Sequence, residues 1–389
     1  MAHIIFVQLP ELGHINPTLK LARKLRRNGH QVSYVGLPDL EDYVKLQGVG
    51  FIPILARACP KGSLAGRRIN LIEILDQLRT EGAVEIAAVL KTVKPDLLLV
   101  DVELLGVVSL ARKLSIPCGL ISTNLSGTRL ISSNDARDMG LPILIPCPQE
   151  FDFPNAGTQP GHYYIEASIE LDRTDPYPFP FERLDETRSL IYCSLGSHCE
   201  DFKETGSFFQ TAIKVFRERP DCQLVLGTGR FQLNGVDASD LPENILLVSW
   251  APQLALLKRA QIMITHGGLG TIKECIYAGV PMIVYAVMKD QPENAARVAY
   301  HGLGVSNDIK EVSIPQLHSA IDTIQRDSSF KTRVESMSKK FHAMESSGRG
   351  VRIVERILDW LRRNGRMPFE PYTGPRSTEL HAFLKSNSN

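Results

Sequence analysis

The sequence predicts an α/β protein made of two similar halves, each a parallel sheet with helices on both faces, and three observations carry that prediction. First, 389 residues with 43% hydrophobic content suffice for two cores of ordinary size. Second, short apolar runs rich in β-branched residues alternate with amphipathic helical patterns from the start of the chain. Third, the alternation stops between Thr123 and about Thr187, where Pro, Gly, Asn and Asp accumulate, and then restarts. The expected division is residues 1–180, residues 181–348, and a terminal helix with a tail over residues 349–389.

"HIIFVQLP" opens the first half as a strand buried on both faces. "ELGHINPTLKLARKLRRNGH" follows as a loop and a helix, with Asn16 placed to cap and Pro17 at the first helical position. "QVSYVGL", "GFIPIL", "DLLLVDV" and "PCGLIS" continue as strands, separated by helical stretches such as "LIEILDQLRTEGAVEIAAVLKTV" and "LLGVVSLARKLS". The stretch from Thr123 to about Thr187 reads as surface loops leading into a linker, with Pro176, Pro178 and Pro180 resisting regular structure.

The second half runs "SLIYCSLGS", the helix "FKETGSFFQTAIKVFRER", "CQLVLGTG", "NILLVSW", "LALLKRA", "QIMIT", "TIKECIYAG" and "PMIVYAV". "GVRIVERILDWLRRNG" then sets Val351, Ile353, Val354, Ile357, Leu358 and Leu361 on one stripe, and "STELHAFLKSNSN" reads as a weakly ordered tail.

Composition removes several function classes. Lys+Arg 44 against Asp+Glu 43 leaves a formal charge of +1, so no overall field draws nucleic acid or an anionic membrane. The seven cysteines lack C-x-x-C or zinc spacing, which favours reduced thiols and a cytoplasmic location. The N-terminal apolar run is too short for a signal peptide, and no run approaches the ~18 apolar residues of a membrane span. A cytoplasmic monomer or homodimer is expected, with small-molecule partners and a cleft between the halves at the carboxyl ends of their strands.

"QIMITHGGLGTIKE" carries the sharpest chemistry. It puts Gly267, Gly268 and Gly270 where a strand turns into a helix, so that backbone N–H groups and the helix dipole can meet an anion. His266 and Thr271 can donate to the same diphosphate, and Glu274 is an acceptor suited to ribose hydroxyls.

With "SWAPQLALL" upstream and "AGVPM" and "DQPENAARV" downstream, the set Trp250, Pro252, Gln253, His266, Gly268, Thr271, Glu274, Gly279, Val280, Pro281, Asp290 and Gln291 resembles the signature of the UDP-glycosyltransferase superfamily. That family has the GT-B fold, two Rossmann-like domains facing a central cleft with the C-terminal helix crossing back to the N-terminal domain. The resemblance implies that Trp250 stacks on the donor base, that Ala251 and Gln253 contact base or ribose, and that His266 and Thr271 hold the diphosphate. It further implies that Glu274 binds the ribose, that Asp290 and Gln291 bind sugar hydroxyls, and that Ser197 in "YCSLGSH" contacts the diphosphate. Ala286 stands where members often have proline, and Leu269 and Gly270 replace the Trp and Asn of the plant version. The stretch is therefore more similar to the bacterial natural-product branch, with UDP-glucose the first expectation for the donor and a TDP-sugar the second.

In the first half, His14 in "GHINP" matches the family's general-base histidine. An imidazole with an ordinary pKa near ~6.5 suits proton abstraction from a hydroxyl at neutral pH. Asp101, ending "DLLLVD", corresponds to the carboxylate that orients it. The expectation is an inverting hexosyltransferase that uses a nucleotide sugar as co-substrate, with no cofactor and no metal.

Four other readings compete with this one. Asp101 and Glu103 form a D-x-E pair that could hold a divalent metal, but two α/β halves and a glycine turn argue against it. A UDP-sugar epimerase shares the architecture but not the W-x-P-Q and D-Q elements. A non-catalytic auxiliary protein is disfavoured by the intact His14, Asp101 and Glu274. A dehydrogenase lacks the acidic residue about 20 positions beyond the glycines in the required context.

Overall fold

Runs of consecutive apolar residues build the first sheet. β1 (His3–Val7), β2 (Gln31–Gly36), β3 (Gly50–Pro53), β4 (Leu97–Asp101), β5 (Cys118–Ile121), β6 (Ile143–Ile145) and β7 (His162–Tyr164) lie parallel in the order β3-β2-β1-β4-β5-β6-β7. All of β4 and all but the first residue of β1 are buried, as central strands covered on both faces must be. α1 (Leu12–Arg27), α2 (Glu41–Leu46), α3 (Glu81–Val93) and α4 (Leu105–Lys113) belong to the connections. The computed structural model describes residues 1–62, 80–125, 139–154, 161–171 and 178–386. The start of the helix expected before α3, at "LIEILDQLR", lies outside the described residues.

The second sheet is built in the same way. β8 (Ser189–Ser194), α5 (Thr205–Arg217), β9 (Cys222–Gly227), β10 (Ile245–Val248), α6 (Gln253–Leu257), β11 (Ile262–Thr265), α7 (Leu269–Ala278), β12 (Met282–Ala286), α8 (Gln291–Tyr300), β13 (Gly304–Asp308), α9 (Ile314–Arg326) and α10 (Ser328–Ser346) follow in sequence. The strands pair in parallel as β10-β9-β8-β11-β12-β13. α5 buries Phe208, Phe209 and Phe216 against the sheet, and Phe208 meets Tyr285 edge-on at 5.0 Å. Side chains of this size stabilise by about 1.5–3 kcal/mol each on burial.

Contacts divide the chain into one unit of Met1–Gln149, Pro154–Ser168 and Met344–Asn389 and a second of Glu150–Phe153 and Ile169–Ala343. The chain therefore returns to the first unit near the end of α10. There α11 (Arg349–Asn364) packs on α1, burying Val351, Ile353, Val354, Ile357, Leu358 and Trp360. Trp360, rather than Leu361, completes the stripe. Among the described residues no helix is long and apolar enough to cross a membrane.

Three local readings of the sequence are corrected. α1 begins at Leu12, where the His14 and Ile15 amides donate to the Glu11 carbonyl at 2.9 and 3.1 Å, so Pro17 lies inside the helix. Asn16 caps nothing: its Oδ1 accepts from the Tyr43 hydroxyl at 2.6 Å. The stretch read as surface loops contains β6 and β7, and Leu141 through Cys147 are buried. Pro142 and Pro146 sit just outside β6, so three ladder residues between two prolines looked like a loop.

The third correction concerns the tail, which folds as α12 (Pro375–Lys385) and buries Ser377, Leu380, His381 and Leu384. Its polar residues serve the sheet edge. His381 Nε2 donates to the Gly140 carbonyl at 2.9 Å, leaving Nδ1 to accept from the Tyr163 hydroxyl at 2.7 Å. The Tyr372 hydroxyl donates to the Leu141 carbonyl at 2.6 Å. Residues 387–389 lie outside the described residues.

Gly161 has φ +78, and a Cβ there would come within 2.2 Å of the Tyr372 ring, whereas Gly365 at φ +74 faces open space. Gly365→Ala is expected to cost only left-handed strain, about 1–2 kcal/mol. Gly161→Ala adds overpacking and is expected to cost roughly 2–5 kcal/mol in denaturant titrations. Equal costs would show that the C-terminal segment does not press on β7.

Candidate functional site

Each sheet reverses its strand order at one place, between β1 and β4 in the first and between β8 and β11 in the second. Connections leave such a pair in opposite directions and open a crevice at the carboxyl ends of the strands. The predicted histidines fall at these two points, one in each unit.

In the first unit, β1 leads into the first turn of α1 and presents His14, while the neighbouring β4 ends on Asp101. His14 Nδ1 lies 2.7 Å from Asp101 Oδ2; the carboxylate is fully buried and the imidazole side chain 13% exposed. An ionised carboxylate only accepts, so Nδ1 carries the proton and the Nε2 lone pair is left for other work. Asp101 is held in turn by the Glu103 amide, which donates to Oδ1 at 3.0 Å. Burial alone would lower the His14 pKa. The Asp101 charge and hydrogen bond, with Glu103 and Glu11 behind them, outweigh burial and raise it above its ordinary 6.5.

Thr123 Oγ1 lies 3.0 Å from the same Nδ1, and Asn124 Nδ2 donates to Glu103 Oε1 at 3.3 Å. Sequence reasoning missed both. The available signal was the polar "STN" directly after β5, one strand beyond Asp101. His14, Asp101 and Glu103 also offer donor atoms within 4.8 Å of one another, the geometry behind the metal-binding alternative. In this structure those groups are engaged with one another, with the Glu103 amide and with Asn124.

In the second unit, the turn after β8 and the turn after β11 close on the His266 ring. A Cβ at Gly196 would come within 2.5 Å of the ring and a Cβ at Gly268 within 2.7 Å, so the imidazole lies between two residues that must lack side chains. Gly267 takes φ +88, and a Cβ there would strike Val284 at 2.8 Å. Gly268 is the N-cap of α7, where the first-turn amides have no partner within the helix. Gly270, expected in the turn, is already helical, and a Cβ there would meet nothing within 4 Å. Burial, with His198 nearby, lowers the His266 pKa to about 4, so the ring is neutral at pH 7 and donates through one nitrogen only.

The structure joins sequence elements that are far apart in the chain. Gln253, at the start of α6, donates through Nε2 to Glu274 Oε2 at 2.5 Å and approaches Thr271 Oγ1 at 3.5 Å. Trp250 is 37% exposed beside half-buried Ala251, and Ser197 is exposed after β8. Asp290 stands at the N-terminal boundary of α8, without a side-chain cap bond, and Gln291 opens the helix. Gln291 Oε1 accepts from the Val287 and Met288 amides at 3.0 and 2.9 Å, which leaves its NH₂ as the end not engaged by those two amides. Asn294, which sequence reasoning missed, donates to the Gly267 carbonyl at 3.1 Å and to Asp290 Oδ2 at 2.7 Å. Its four-residue spacing from Asp290 on a helix was the signal that could have found it.

This architecture is the GT-B fold. The solved glycotransferase of kitacinnamycin superposes with a TM-score of 0.76 at 24% identity, over 92% of this chain and 99% of that one. Residues 133–359, well over half the chain, match the family described as UDP-glucoronosyl and UDP-glucosyl transferase, and the chain belongs to that family of sugar transferases. Among its relatives, the NDP-glycosyltransferase YjiC of Bacillus subtilis is 24% identical over 92% of this chain and 97% of its own length. The oleandomycin glycosyltransferase of Streptomyces antibioticus is 25% identical over 79% of each.

The His266 environment predicts a pH dependence. With a folded pKa of about 4 against 6.5 when unfolded, the unfolded chain gains a proton that the folded chain refuses as pH falls. The stability lost through this residue accrues from about pH 6.5 down to about pH 4. His266→Gln is expected to flatten that part of the curve of urea midpoint against pH. Parallel curves for wild type and variant would contradict a neutral His266.

Proposed function

We propose that the chain transfers a hexose, glucose as the first choice, from UDP- or TDP-sugar to a hydroxyl of a small, largely apolar natural product, inverting the anomeric carbon. The 2.7 Å contact between His14 and Asp101 is the observation that carries this reading. It leaves Nε2 basic, aims the other nitrogen at a buried carboxylate, and raises the imidazole pKa toward the value a base needs at neutral pH.

In the reaction, the acceptor O–H gives its proton to His14 Nε2 as its oxygen bonds to the anomeric carbon. The bond from that carbon to the phosphate oxygen breaks on the opposite side, so an α-linked donor gives a β-glycoside. The electron pair leaves with the nucleoside diphosphate, and Asp101 stabilises the imidazolium until it returns its proton to solvent. Asp101 acts without becoming protonated.

The donor is held by the second unit in this reading. Trp250 stacks on the base, with Ala251 and Gln253 beside it. Glu274 accepts from ribose, Gln253 holding its carboxylate in place. Ser197, His266, Thr271 and the amides after Gly268 and around Gly270 meet the diphosphate, and Asp290 and Gln291 read sugar hydroxyls. A neutral His266 still has one N–H to donate at pH 7, and the helix terminus adds about half a positive charge. Positioning can supply roughly 7–11 kcal/mol and diphosphate stabilisation about 3–4 kcal/mol of the barrier reduction, with no metal or cofactor required. The oleandomycin glycosyltransferase among the relatives supports a natural-product acceptor.

The test is mass spectrometry of wild type and His14→Ala, each given UDP-glucose or TDP-glucose with a pool of phenolic, terpenoid and macrolide alcohols. A hexose adduct from wild type, reduced roughly 10²–10⁴-fold in the variant, is expected. Equal adducts from both would remove His14 as the base. Epimerised donor without any adduct would replace the transferase with an isomerase.

A further inference from the structure

The second unit takes four residues, Glu150–Phe153, from the stretch between β6 and β7, and three of them close on the far end of α8. Arg297 Nε donates to Asp152 Oδ1 at 2.8 Å, with the two side chains 1% and 0% exposed. The Arg297 guanidinium also lies over the Phe153 ring, 4.6 Å from its centroid. The Phe151 carbonyl accepts from His301 Nε2 at 3.0 Å, and the fully buried Phe151 ring packs on Phe341.

The near end of the same helix carries Asp290 and Gln291, with Asn294 tying Asp290 to the Gly267 carbonyl. A ten-residue helix moves as a rod, so displacing Arg297 displaces the residues at its start. Well-packed apolar residues would often stabilise this position equally well, because a buried ion pair barely repays its desolvation. What the pair adds is direction: a planar guanidinium held by one carboxylate and one aromatic face has a single seat.

We infer that Asp152 and Arg297 are positioning residues for the donor sugar, setting the rotation and depth of α8 so that Asp290 and Gln291 meet the sugar hydroxyls. This rests on the reading of Asp290 and Gln291 as sugar contacts. The pair acts mainly on the sugar, whose proposed contacts lie on α8 itself, whereas the proposed nucleotide contacts come from α6, α7 and the turns after β8 and β11, which α8 meets through Asn294 and the Gly267 carbonyl.

The test compares calorimetric affinities for UDP and UDP-glucose, or for TDP and TDP-glucose if wild type prefers thymidine. The proteins are wild type, Asp152→Leu/Arg297→Met, and Asp290→Ala. The double variant leaves no lone buried charge. It is expected to melt near wild type, to bind the nucleoside diphosphate within about twofold, and to bind the sugar nucleotide at least about tenfold more weakly, with Asp290→Ala behaving alike. Wild-type affinity for the sugar nucleotide in the double variant, with Asp290→Ala still weakened, overturns the positioning role and leaves the sugar reading standing. An unaffected Asp290→Ala overturns the sugar reading and this inference with it. Parallel loss of diphosphate and sugar nucleotide makes the pair merely structural. Should the double variant not fold, Arg297→Lys keeps the charge, loses the planar fork and is read against the same three outcomes.

Discussion

The hydrogen bond between His14 and Asp101 depends on two strands, distant in sequence, lying side by side. β1 and β4 pair from Ile4 with Leu97 to Val7 with Val100, so Asp101 comes one residue beyond the last pair, where the sheet order reverses. Burial of the carboxylate makes the arrangement consequential. In a low-dielectric setting its charge acts strongly on the imidazole, and the Glu103 amide satisfies the second carboxylate oxygen, so the cost of burying it is offset. The same rule of parallel sheets puts the second unit's chemistry between β8 and β11.

Charge is managed differently in the second unit. Its histidine is kept neutral mainly by burial, and the glycines at 196 and 268 leave the room that the ring occupies. The loop offers the α7 first-turn amides and one imidazole N–H, with the Thr271 hydroxyl in the first turn of the helix. In the proposed reaction these groups would meet the departing diphosphate, since preformed dipoles stabilise developing charge without reorganising. α8 supplies the third part, a rigid rod whose two ends are fixed by separate contacts.

The two-sheet architecture was legible because central parallel strands are buried on both faces and leave runs such as "HIIFV" and "LLLVD" that few other structures need. The glycine turn was legible at Gly267 and Gly268, where a left-handed φ or a close approach to His266 excludes a side chain, whereas Gly270 lies in the helix with open space around it. What the sequence hid was set by tertiary contact. Asn16 and Pro17 have the chemistry of a helix start, yet α1 already begins at Leu12 on the Glu11 carbonyl, and the Asn16 side chain is taken by Tyr43. β6 is too short between its prolines to show a period, and β7 pairs with it through the next loop. α12 looks polar, and its Ser377 and His381 are explained only by the Gly140 carbonyl they bind. Thr123 and Asn294 are ordinary residues until the fold sets them beside His14 and Gly267.

In the proposed reaction His14 carries its proton on Nδ1, toward Asp101, and offers Nε2 as a base. Nitrogen-15 NMR of the His14 ring across pH, in wild type and in Asp101→Asn, measures both the tautomer and the pKa. The account predicts an Nδ1–H tautomer in wild type with a pKa above the ordinary 6.5, and a lowered pKa once the carboxylate charge is removed. An Nε2–H tautomer, or a pKa that Asp101→Asn leaves unmoved, would contradict it.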